Sequence, residues 1–482
     1  MPRARREPRR RPVVAVLALT AFVLAGLFAA SVSRAAPAGE AQPAYYLSPD
    51  GSDSGGCSRA DPCASLQGVR DRMRGSTVRT VYLLPGTYAL RSVVELGPAD
   101  DGATLAGAPG QRWDAAVIDA GGRLESAICV RGASNVTIKN LKIRDVEYGG
   151  VMIHGGAGFG PNACTRGATT PPAIGNVVRD VEVANIIVPD AARYADTGGV
   201  LAQGEVRGTV VSNILVADSN GMCVRASAHG GRDDISGLRV LNSVFLRCMK
   251  RNGDGGAIYT QDYLAASTDI LIENNYVKDY GNGSGRNNRC FYADASTSNV
   301  IFRRNICANP GARDVAGDAS VIFLCGARNI VTQNLFDLGS SGKMITYQYG
   351  GCAAPARKSE MTGNAFAGNV VVGAFRGAQR TEWAGSAGAQ SFYSGDVQPA
   401  YPRIVSNVYW NYAGGIMNTD GVVMQGDAAP VMRDPLCSGG SLYHISERSP
   451  AYRAGYSPPP RGWGPRGYVP RERDGALSSC PP

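Results

Sequence analysis

Histidine and lysine are scarce in this sequence, and neither histidine nor cysteine is spaced as a metal site requires. The chain of 482 residues has 3 histidines with no pair at ligand spacing, and its 12 cysteines include no Cys-x-x-Cys motif, so we expect no zinc or other metal. Lysine occurs at only six positions, which leaves few candidates for a catalytic ammonium group. After residue 32 no apolar run is long enough to cross a membrane, so the mature chain should be soluble.

The one long apolar segment lies at the start of the chain. Residues 1–12 carry six arginines, residues 13–32 are apolar apart from Thr20 and Ser31, and residues 33–35 read Ser-Arg-Ala, with small residues at the cleavage positions. This pattern predicts a secretory signal peptide over residues 1–36, with an uncleaved membrane anchor as the alternative. We therefore expect a secreted, periplasmic or extracellular protein with no membrane contact beyond this segment.

The formal net charge of +9 comes mostly from the same segment. Residues 1–35 contain seven Arg and one Glu, which leaves 42 basic against 39 acidic residues, a net charge of +3, for the remainder. The basic pI is therefore no sign of a nucleic-acid partner, and we expect none.

One short pattern of alternating apolar and polar residues, closed by Asn or Asp, returns about every thirty residues. Alternation at period two indicates strands, and a fixed period indicates a solenoid. The apolar spacing of three and four that is typical of helical repeats is absent. Because equivalent residues of stacked coils lie about 4.8 Å apart, Asn side chains should form a hydrogen-bonded ladder. The closing residues are Asn140, Asp180, Asn213, Asn242, Asn274, Asn305, Asn334, Asn364 and Asn407. The sequence thus predicts an all-β chain folded as a parallel β-helix.

A second strand follows within most coils, in "VMIHG" (151–155), "MCVRA" (222–226), "AIYTQ" (257–261), "CFYAD" (290–294), "VIFLC" (321–325) and "MITYQ" (344–348). The second residue of each is apolar and should point inward, so the residues one and three positions later should point outward. Alignment predicts an outward column of Tyr259, Tyr292 and Phe323, and beside it a column of Gln261, Asp294 and Gln348 interrupted by Cys325. Rings beside amide and carboxylate groups suit a sugar-binding groove, although an aromatic ladder that only stabilises the sheet is the alternative.

The ends of the repeat predict caps and disulfides. "PCASLQGVRD" (62–71) indicates a short helix that covers the open end of the core, and residues 44–455 should form one domain, followed by a Pro/Arg-rich tail over 456–482. Cysteines behind a signal peptide favour disulfides. We expect Cys57 and Cys63 to close a small loop and Cys437 and Cys480 to tether the tail.

The segments "YYLSPDGSD" (45–53), "VYLLPGTY" (81–88), the "SNV" coils and the "DPLC" (434–437) to "SPAY" (449–452) ending resemble the right-handed parallel β-helix superfamily of pectate-lyase-like secreted proteins. The resemblance covers nearly the whole mature chain. It implies a right-handed parallel β-helix solenoid and a carbohydrate substrate, and we expect a monomer that binds a polysaccharide or oligosaccharide. The polygalacturonase signature is incomplete after "NTDG" (418–421), and the Asp-Pro-His-Glu motif of mannuronate epimerases is missing.

A narrower resemblance concerns "GGAIYTQD" (255–262) and "CFYADASTSNV" (290–300). They are similar to the Tyr-x-Asp strand followed by Ser-Asn-Val in β-helical xylosidase-like glycoside hydrolases, which implies Asp294 as the nucleophile. The acid of that family is a Glu on a later coil, and "SVIFLCGARN" (320–329) contains none. The partner carboxylate should therefore come from a turn.

Three aspartates lie in turns near Asp294, namely Asp262, Asp254 and Asp318. Asp262 is the best candidate, one coil back and one residue along, with turn capping as its alternative role. Catalysis would then rest on Asp294, Asp262 and Asp254, with Tyr259, Tyr292, Gln261, Gln348 and Phe323 as substrate contacts and no cofactor.

Two other functions stay open. A polysaccharide lyase acting on uronate polymers would need a base and a charge-neutralising group, for which Lys250, Arg251 and Lys343 are candidates, with Ca²⁺ held by Asp as a cofactor. A non-catalytic glycan-binding or cell-surface structural protein is the alternative from a different class. Arg225 and His154 lie at strand ends, where we expect hydrogen-bonded structural groups.

Overall fold

The chain is folded as a parallel β-helix, as the period of the sequence predicts. The computed structural model describes residues 43–157, 164–167, 169–188, 197–281, 287–308, 321–337, 345–347, 362–373, 379–380, 403–412, 414, 417–418, 427–436, 445–460 and 462–469. All strand pairs between named strands are parallel, which requires a crossover connection after each strand.

The strands in the first half of the chain are β1 (Ala44–Leu47), β2 (Thr80–Leu83), β3 (Gly86–Ala89), β4 (Val94–Leu96), β5 (Thr104–Gly107), β6 (Ala116–Asp119), β7 (Ser126–Arg131), β8 (Thr137–Val146), β9 (Gly149–Gly155), β10 (Val177–Ile186), β11 (Gly198–Gly204), β12 (Val210–Ser212), β13 (Leu215–Ser219), β14 (Val224–Ala228), β15 (Arg239–Leu241) and β16 (Val244–Leu246). Those in the second half are β17 (Asp254–Asp262), β18 (Ile270–Glu273), β19 (Tyr276–Lys278), β20 (Asn287–Ala295), β21 (Val300–Arg303), β22 (Ile306–Ala308), β23 (Ile322–Leu324), β24 (Ile330–Thr332), β25 (Leu335–Asp337), β26 (Ile345–Tyr347), β27 (Ala365–Ala367), β28 (Val370–Gly373), β29 (Gln379–Arg380), β30 (Arg403–Val405), β31 (Val408–Asn411) and β32 (Met417–Asn418).

Three parallel ladders form the sides of the solenoid. The first ladder runs β1-β2-β5-β8-β10-β12-β15-β18-β21-β24-β27-β30, and the second runs β3-β6-β8-β10-β13-β16-β19-β22-β25-β28-β31. The long strands β8 and β10 take part in both. The third ladder runs β4-β7-β9-β11-β14-β17-β20-β23-β26. The inward residues of all three ladders form one continuous apolar core.

The predicted asparagine ladder is present but shorter than expected. Asn305, Asn334, Asn369 and Asn407 each pass a side-chain hydrogen bond of 3.0 Å or less to the next coil, starting from Asn275 and ending at Asp427. Among the earlier closing residues, Asn274 donates to Asn242 on the preceding coil at 2.5 Å, as predicted, but these residues lie one position before the column that begins at Asn275. Asn140, Asp180, Asn213, Asn242 and Asn274 adopt positive φ at the turn just before the ladder position, a conformation that Asn and Asp tolerate well. Asn364 belongs to a separate pairing with Asn329.

A helix covers the N-terminal end of the solenoid. Helix α1 (Leu66–Arg74) begins at Ser65, whose hydroxyl accepts the Gly68 N–H, and it buries Leu66, Val69 and Met73 over the first coil, as predicted. The short helix α2 (Pro450–Arg453) precedes the tail. The described tail residues lie against an apolar stripe on the outside of the second ladder, where the Trp463 indole donates to Asn274 at 3.1 Å.

Four disulfides join described residues: Cys57 to Cys63, as predicted, Cys129 to Cys164, Cys223 to Cys248, and Cys290 to Cys307. Such a number is typical of proteins from oxidising compartments. Cys437, Cys480 and residues 1–42 lie outside the described residues, so the tail disulfide and the signal peptide stay predictions. Within the described part of the chain, no helix is long and apolar enough to cross a membrane.

Candidate functional site

The register of the third ladder decides which side chains leave the core. Val224, Ile258 and Phe291 are paired on successive strands and are buried inside the solenoid. These residues form the inward column of the third ladder. Alignment of the sequence patterns predicts Met152 and Cys223 at the inward positions of their strands, but the inward residues are Val151 and Val224, one position away in each case. A slip of one residue exchanges the two faces of a strand. Arg225 therefore lies outside the core, in the column that the aromatic residues occupy.

The outward aromatic column is present on β17, β20 and β23. The rings of Tyr259 and Tyr292 lie 5.1 Å apart edge to face, and those of Tyr292 and Phe323 lie 4.4 Å apart. The Arg225 guanidinium lies 5.3 Å from the Tyr259 ring centre and extends the column by one coil. The three rings are only 2–6% exposed, so they present little surface to a sugar. Their role as substrate contacts stays a prediction. The geometry shows that the two tyrosine hydroxyls hold nearby carboxylates.

Asp294 lies on the outer face of β20 and accepts a hydrogen bond from the Tyr259 hydroxyl at 2.5 Å. Its backbone pairs with Gln261 on the preceding coil, as the sequence predicts. The side chain is partly exposed, whereas the flanking Tyr292 and Ala293 are buried. An outward carboxylate with a phenolic donor avoids the cost of an unpaired charge in a core. Asp294 is thus both anchored and accessible.

Asp254 is the second carboxylate of the site. It begins β17 and is the one residue of that strand exposed to solvent. Partial desolvation by the surrounding protein raises its pKa, and the charge of Asp294 raises it further. The Arg289 guanidinium and a hydrogen bond from the Tyr292 hydroxyl act in the opposite direction. The Tyr259 and Tyr292 rings are therefore in edge-to-face contact, and the Tyr259 hydroxyl binds Asp294 while the Tyr292 hydroxyl binds Asp254.

Arg289 is a member of the site that sequence reasoning missed. It is 1% exposed, and its guanidinium lies 5.9 Å from the Tyr292 ring centre and 5.7 Å from that of Phe323. The N–H groups of Cys290 and Phe291 both donate to the carbonyl of residue 321, at 2.9 and 3.2 Å, which marks a local bulge. Period-two alternation fails across such a bulge, so the outward direction of Arg289 could not be counted back from Phe291.

Gln261 belongs to a network beside the carboxylates. Arg225, 3% exposed, donates to Ser227 at 2.7 Å and to Gln261 at 3.0 Å, and Gln261 in turn donates to the Tyr263 hydroxyl at 3.1 Å. Arg225 was expected to be a hydrogen-bonded structural group, and it is hydrogen-bonded, but it also faces Tyr259. The network holds the Tyr259 ring from the side opposite Tyr292.

The structure gives Asp262 the turn-capping role rather than a place beside Asp294. Its side chain is fully buried, and its two oxygens accept the backbone N–H groups of Leu264 at 3.1 Å and Ser267 at 2.7 Å. A carboxylate enclosed in this way has no route to a substrate. Asp254 is therefore a better candidate than Asp262 for the acid.

The described residues among the remaining predictions make other contacts. Lys250 is 3.5 Å from Asp218 in an ion pair that also includes Arg247, and Arg251 is exposed. His154 is fully buried, its Nδ1 is 3.1 Å from the Gln203 carbonyl, and burial lowers its pKa to about 4, so the ring is neutral at pH 7. Asp318, Lys343 and Gln348 lie outside the described residues. Among the residues described, no group of three or more His, Cys, Asp or Glu could hold a metal ion.

No protein-family model matches the chain, and no curated protein does. Solved structures do match. A family PL6 polysaccharide lyase from Pseudopedobacter saltans is 11% identical with a TM-score of 0.49, over 83% of this chain and 98% of that one. A glycoside hydrolase is 10% identical with a TM-score of 0.48, over 76% of this chain and 96% of that one. XylC in complex with xylose is 11% identical with a TM-score of 0.43, over 82% and 87% of the two chains. Likenesses this distant concern the fold alone and do not bear on activity.

Proposed function

We propose that the protein is a glycoside hydrolase that acts on a polysaccharide or oligosaccharide, with Asp294 as nucleophile or base and Asp254 as the acid. The observation that supports this proposal is the edge-to-face pair of tyrosines whose hydroxyls bind the two carboxylates on adjacent strands. Hydrolysis of a glycosidic bond uses two carboxyl groups in different protonation states on either side of the bond.

The environments of the two carboxylates divide the roles. Desolvation and the charge of Asp294 raise the pKa of Asp254, so Asp254 keeps its proton to higher pH, as a general acid requires. The hydrogen bond from Tyr259 fixes the orientation of the Asp294 carboxylate. A fixed carboxylate at the correct angle to the sugar is what a nucleophile or base requires.

The first experiment is turnover with the purified mature protein on a panel of neutral and uronate-containing polysaccharides. New reducing ends without the ultraviolet absorbance of unsaturated uronates would support hydrolysis. Asp294→Asn and Asp254→Asn should each abolish the signal, whereas the control Asp71→Asn, on the exposed side of α1, should not. Full turnover in Asp294→Asn would refute the proposal.

The stereochemistry of the product then separates nucleophile from base. Carboxyl groups about 5 to 5.5 Å apart act with retention through a covalent intermediate, and those about 6.5 to 9.5 Å apart act with inversion through a water molecule. Proton NMR of the first anomer released distinguishes the two. Retention makes Asp294 the nucleophile, and inversion makes it the base.

A polysaccharide lyase acting on uronate polymers is the second candidate, favoured by Arg225 and Arg289. These guanidinium groups lie beside the two tyrosines and are only 1–3% exposed, so they would act on a uronate carboxylate through their positive charge rather than by direct contact. Unsaturated products, detected by their absorbance, would establish lyase activity in place of hydrolysis. Loss of that activity on chelation would assign a role to Ca²⁺.

Glycan binding with neither new reducing ends nor unsaturated products would instead support the non-catalytic binding protein.

Secretion belongs to the same proposal, since the disulfides suit an oxidising compartment and residues 1–36 resemble a signal peptide. Sequencing of the N-terminus of the protein from culture medium would test it.

A further inference from the structure

A cleft of about 710 Å³ lies on the outside of the first ladder, on a different side of the solenoid from the carboxylates. Its floor includes Tyr82, Lys139 and Arg179, which belong to one outward column on β2, β8 and β10 with Ala106 of β5 between the first two. One wall is the turn column that contains Asn140, and the other is the tail from Gly462 to Arg466.

The tail is held in place over this cleft by specific contacts. The Gly464 N–H donates to the Asn242 carbonyl at 2.8 Å, the Trp463 indole donates to Asn274, and the Arg466 N–H donates to Asp180 at 3.3 Å. The cleft is therefore walled on both sides by ordered backbone and is a built feature of the fold.

The charge of the cleft is unbalanced. Arg179 is paired with Asp180 at 2.8 Å, but Lys139, one coil away, makes no ion pair with any described residue. Arg466 adds a third cation to the lining. Burial lowers the pKa of Lys139, and the charge of Arg179 lowers it further. The charge of Asp180 acts in the opposite direction on the Lys139 pKa, but Asp180 is already paired with Arg179. The cations of the cleft therefore outnumber its one carboxylate, and a bound anion would offset the repulsion between them.

The other lining groups are those that recognise sugars. Gln111 donates through its Nε2 to the Leu83 carbonyl at 3.1 Å, while its Oε1 is buried without a hydrogen-bond partner. That oxygen is an acceptor of the kind a ligand hydroxyl would satisfy. Tyr82 supplies an aromatic ring and Asn140 an amide. From Tyr82 to Arg179 the column spans three coil steps, about 14 Å, which is room for a short oligosaccharide.

From these features we infer that the cleft binds a short acidic oligosaccharide, a uronate chain whose carboxylates meet Lys139 and Arg179 while its rings and hydroxyls meet Tyr82 and Gln111. A simple inorganic anion would use the cations and leave the ring and the amides unused. The site is independent of Asp294 and does not require the protein to be a hydrolase.

Calorimetric titration tests the inference on the Asp294→Asn background, once assays for reducing ends and for unsaturated uronates have shown that the variant does not turn the probes over. The probes are a uronate trisaccharide, a neutral glucose trisaccharide and inorganic phosphate. We expect the uronate to bind most tightly, and Lys139→Met and Arg179→Gln each to weaken it about tenfold or more, since each removes a charged hydrogen-bond partner. The control Arg403→Gln, an exposed cation on β30 of the same ladder, should bind as the parent does.

Three results would overturn the inference. Uronate binding unchanged in both cleft variants would place the ligand elsewhere, for example at the carboxylate site. Equal binding of the neutral trisaccharide would show that the charge has no role. Phosphate binding as tight as uronate binding, lost in the same variants, would reduce the cleft to a simple anion site. Thermal denaturation of each variant confirms that a loss of binding is not a loss of folding.

Discussion

Replacing Tyr259 with phenylalanine removes a single oxygen atom from the candidate site. The ring keeps its edge-to-face contact with Tyr292 and its place beside Arg225, because both involve only the aromatic carbons. What is lost is the hydroxyl that donates to Asp294 at 2.5 Å. The variant therefore tests whether the anchoring of Asp294 matters to the reaction, with the packing of the column preserved.

The expected magnitude depends on the nature of that bond. Hydrogen bonds to charged groups contribute about 1.5 to 3 kcal/mol net, and the 6% exposure of Tyr259 leaves little room for water to replace the hydroxyl. If that stabilisation acts in the transition state, kcat/KM should fall roughly 10- to 150-fold, at about 1.4 kcal/mol for each factor of ten. The fall should appear in kcat, since the lost hydroxyl is the group that orients the Asp294 carboxylate.

The assay is steady-state kinetics on the substrate identified in the polysaccharide panel, with the unfolding midpoint measured in parallel. Tyr452→Phe is the matched control, because it also loses a hydroxyl, one that donates to the Ile445 carbonyl at 3.2 Å near the tail. Tyr259→Phe with an unchanged kcat and a normal unfolding midpoint would refute the reasoning, and Asp294 would then need no anchor.

Three further predictions concern the acid, the ladder and one disulfide. Arg289→Met should move the alkaline limb of the pH profile of kcat/KM to higher pH, because Arg289 lowers the pKa of Asp254. A general acid must be protonated to act, so activity is lost as the pH rises through that pKa. An unmoved limb would exclude Asp254 as the acid. Asn334→Ala should lower the free energy of unfolding, measured with denaturant, by roughly 2 to 4 kcal/mol, because it leaves the buried Asn305 N–H and Phe302 carbonyl without these partners. A loss below about 0.5 kcal/mol would show that the ladder contributes little to stability. Removing the disulfide by replacing Cys290 and Cys307 with alanine should cost about 3 kcal/mol for a closed loop of this length, and an unchanged midpoint would contradict that.

The prediction of the repeat succeeded because the fold itself is periodic. Every coil buries the same face against its neighbours, so each copy of the pattern reports the same environment, and agreement among nine copies outweighs noise in any one. The Asn ladder shows where this averaging stops. Each coil has a turn position with positive φ followed directly by a buried ladder position, and Asn is favoured at both. The sequence pattern could not tell the two positions apart and therefore assigned them to a single column.

The sequence predicted only some of the residues of the candidate site. Asp294 and its two tyrosines were found because strand alternation holds across residues 291–294. Arg289 was missed, and Arg225 was given only a structural role, because each lies beyond a one-residue irregularity and a slip of one exchanges inside for outside. Asp262 was preferred to Asp254 by counting positions along the chain, but the turn that comes after Asp262 presents two backbone N–H groups to its carboxylate.

The sequence by itself determined the solenoid, its capping helix, the small Cys57 loop and the column that carries Asp294, since all of these depend on local periodicity and residue type. Only the tertiary structure decided which second carboxylate joins Asp294, which arginines face the tyrosines, and how the tail walls a cleft on the first ladder. These depend on bulges and turns whose contacts connect residues about thirty or more positions apart, and such contacts have no signature in a single strand.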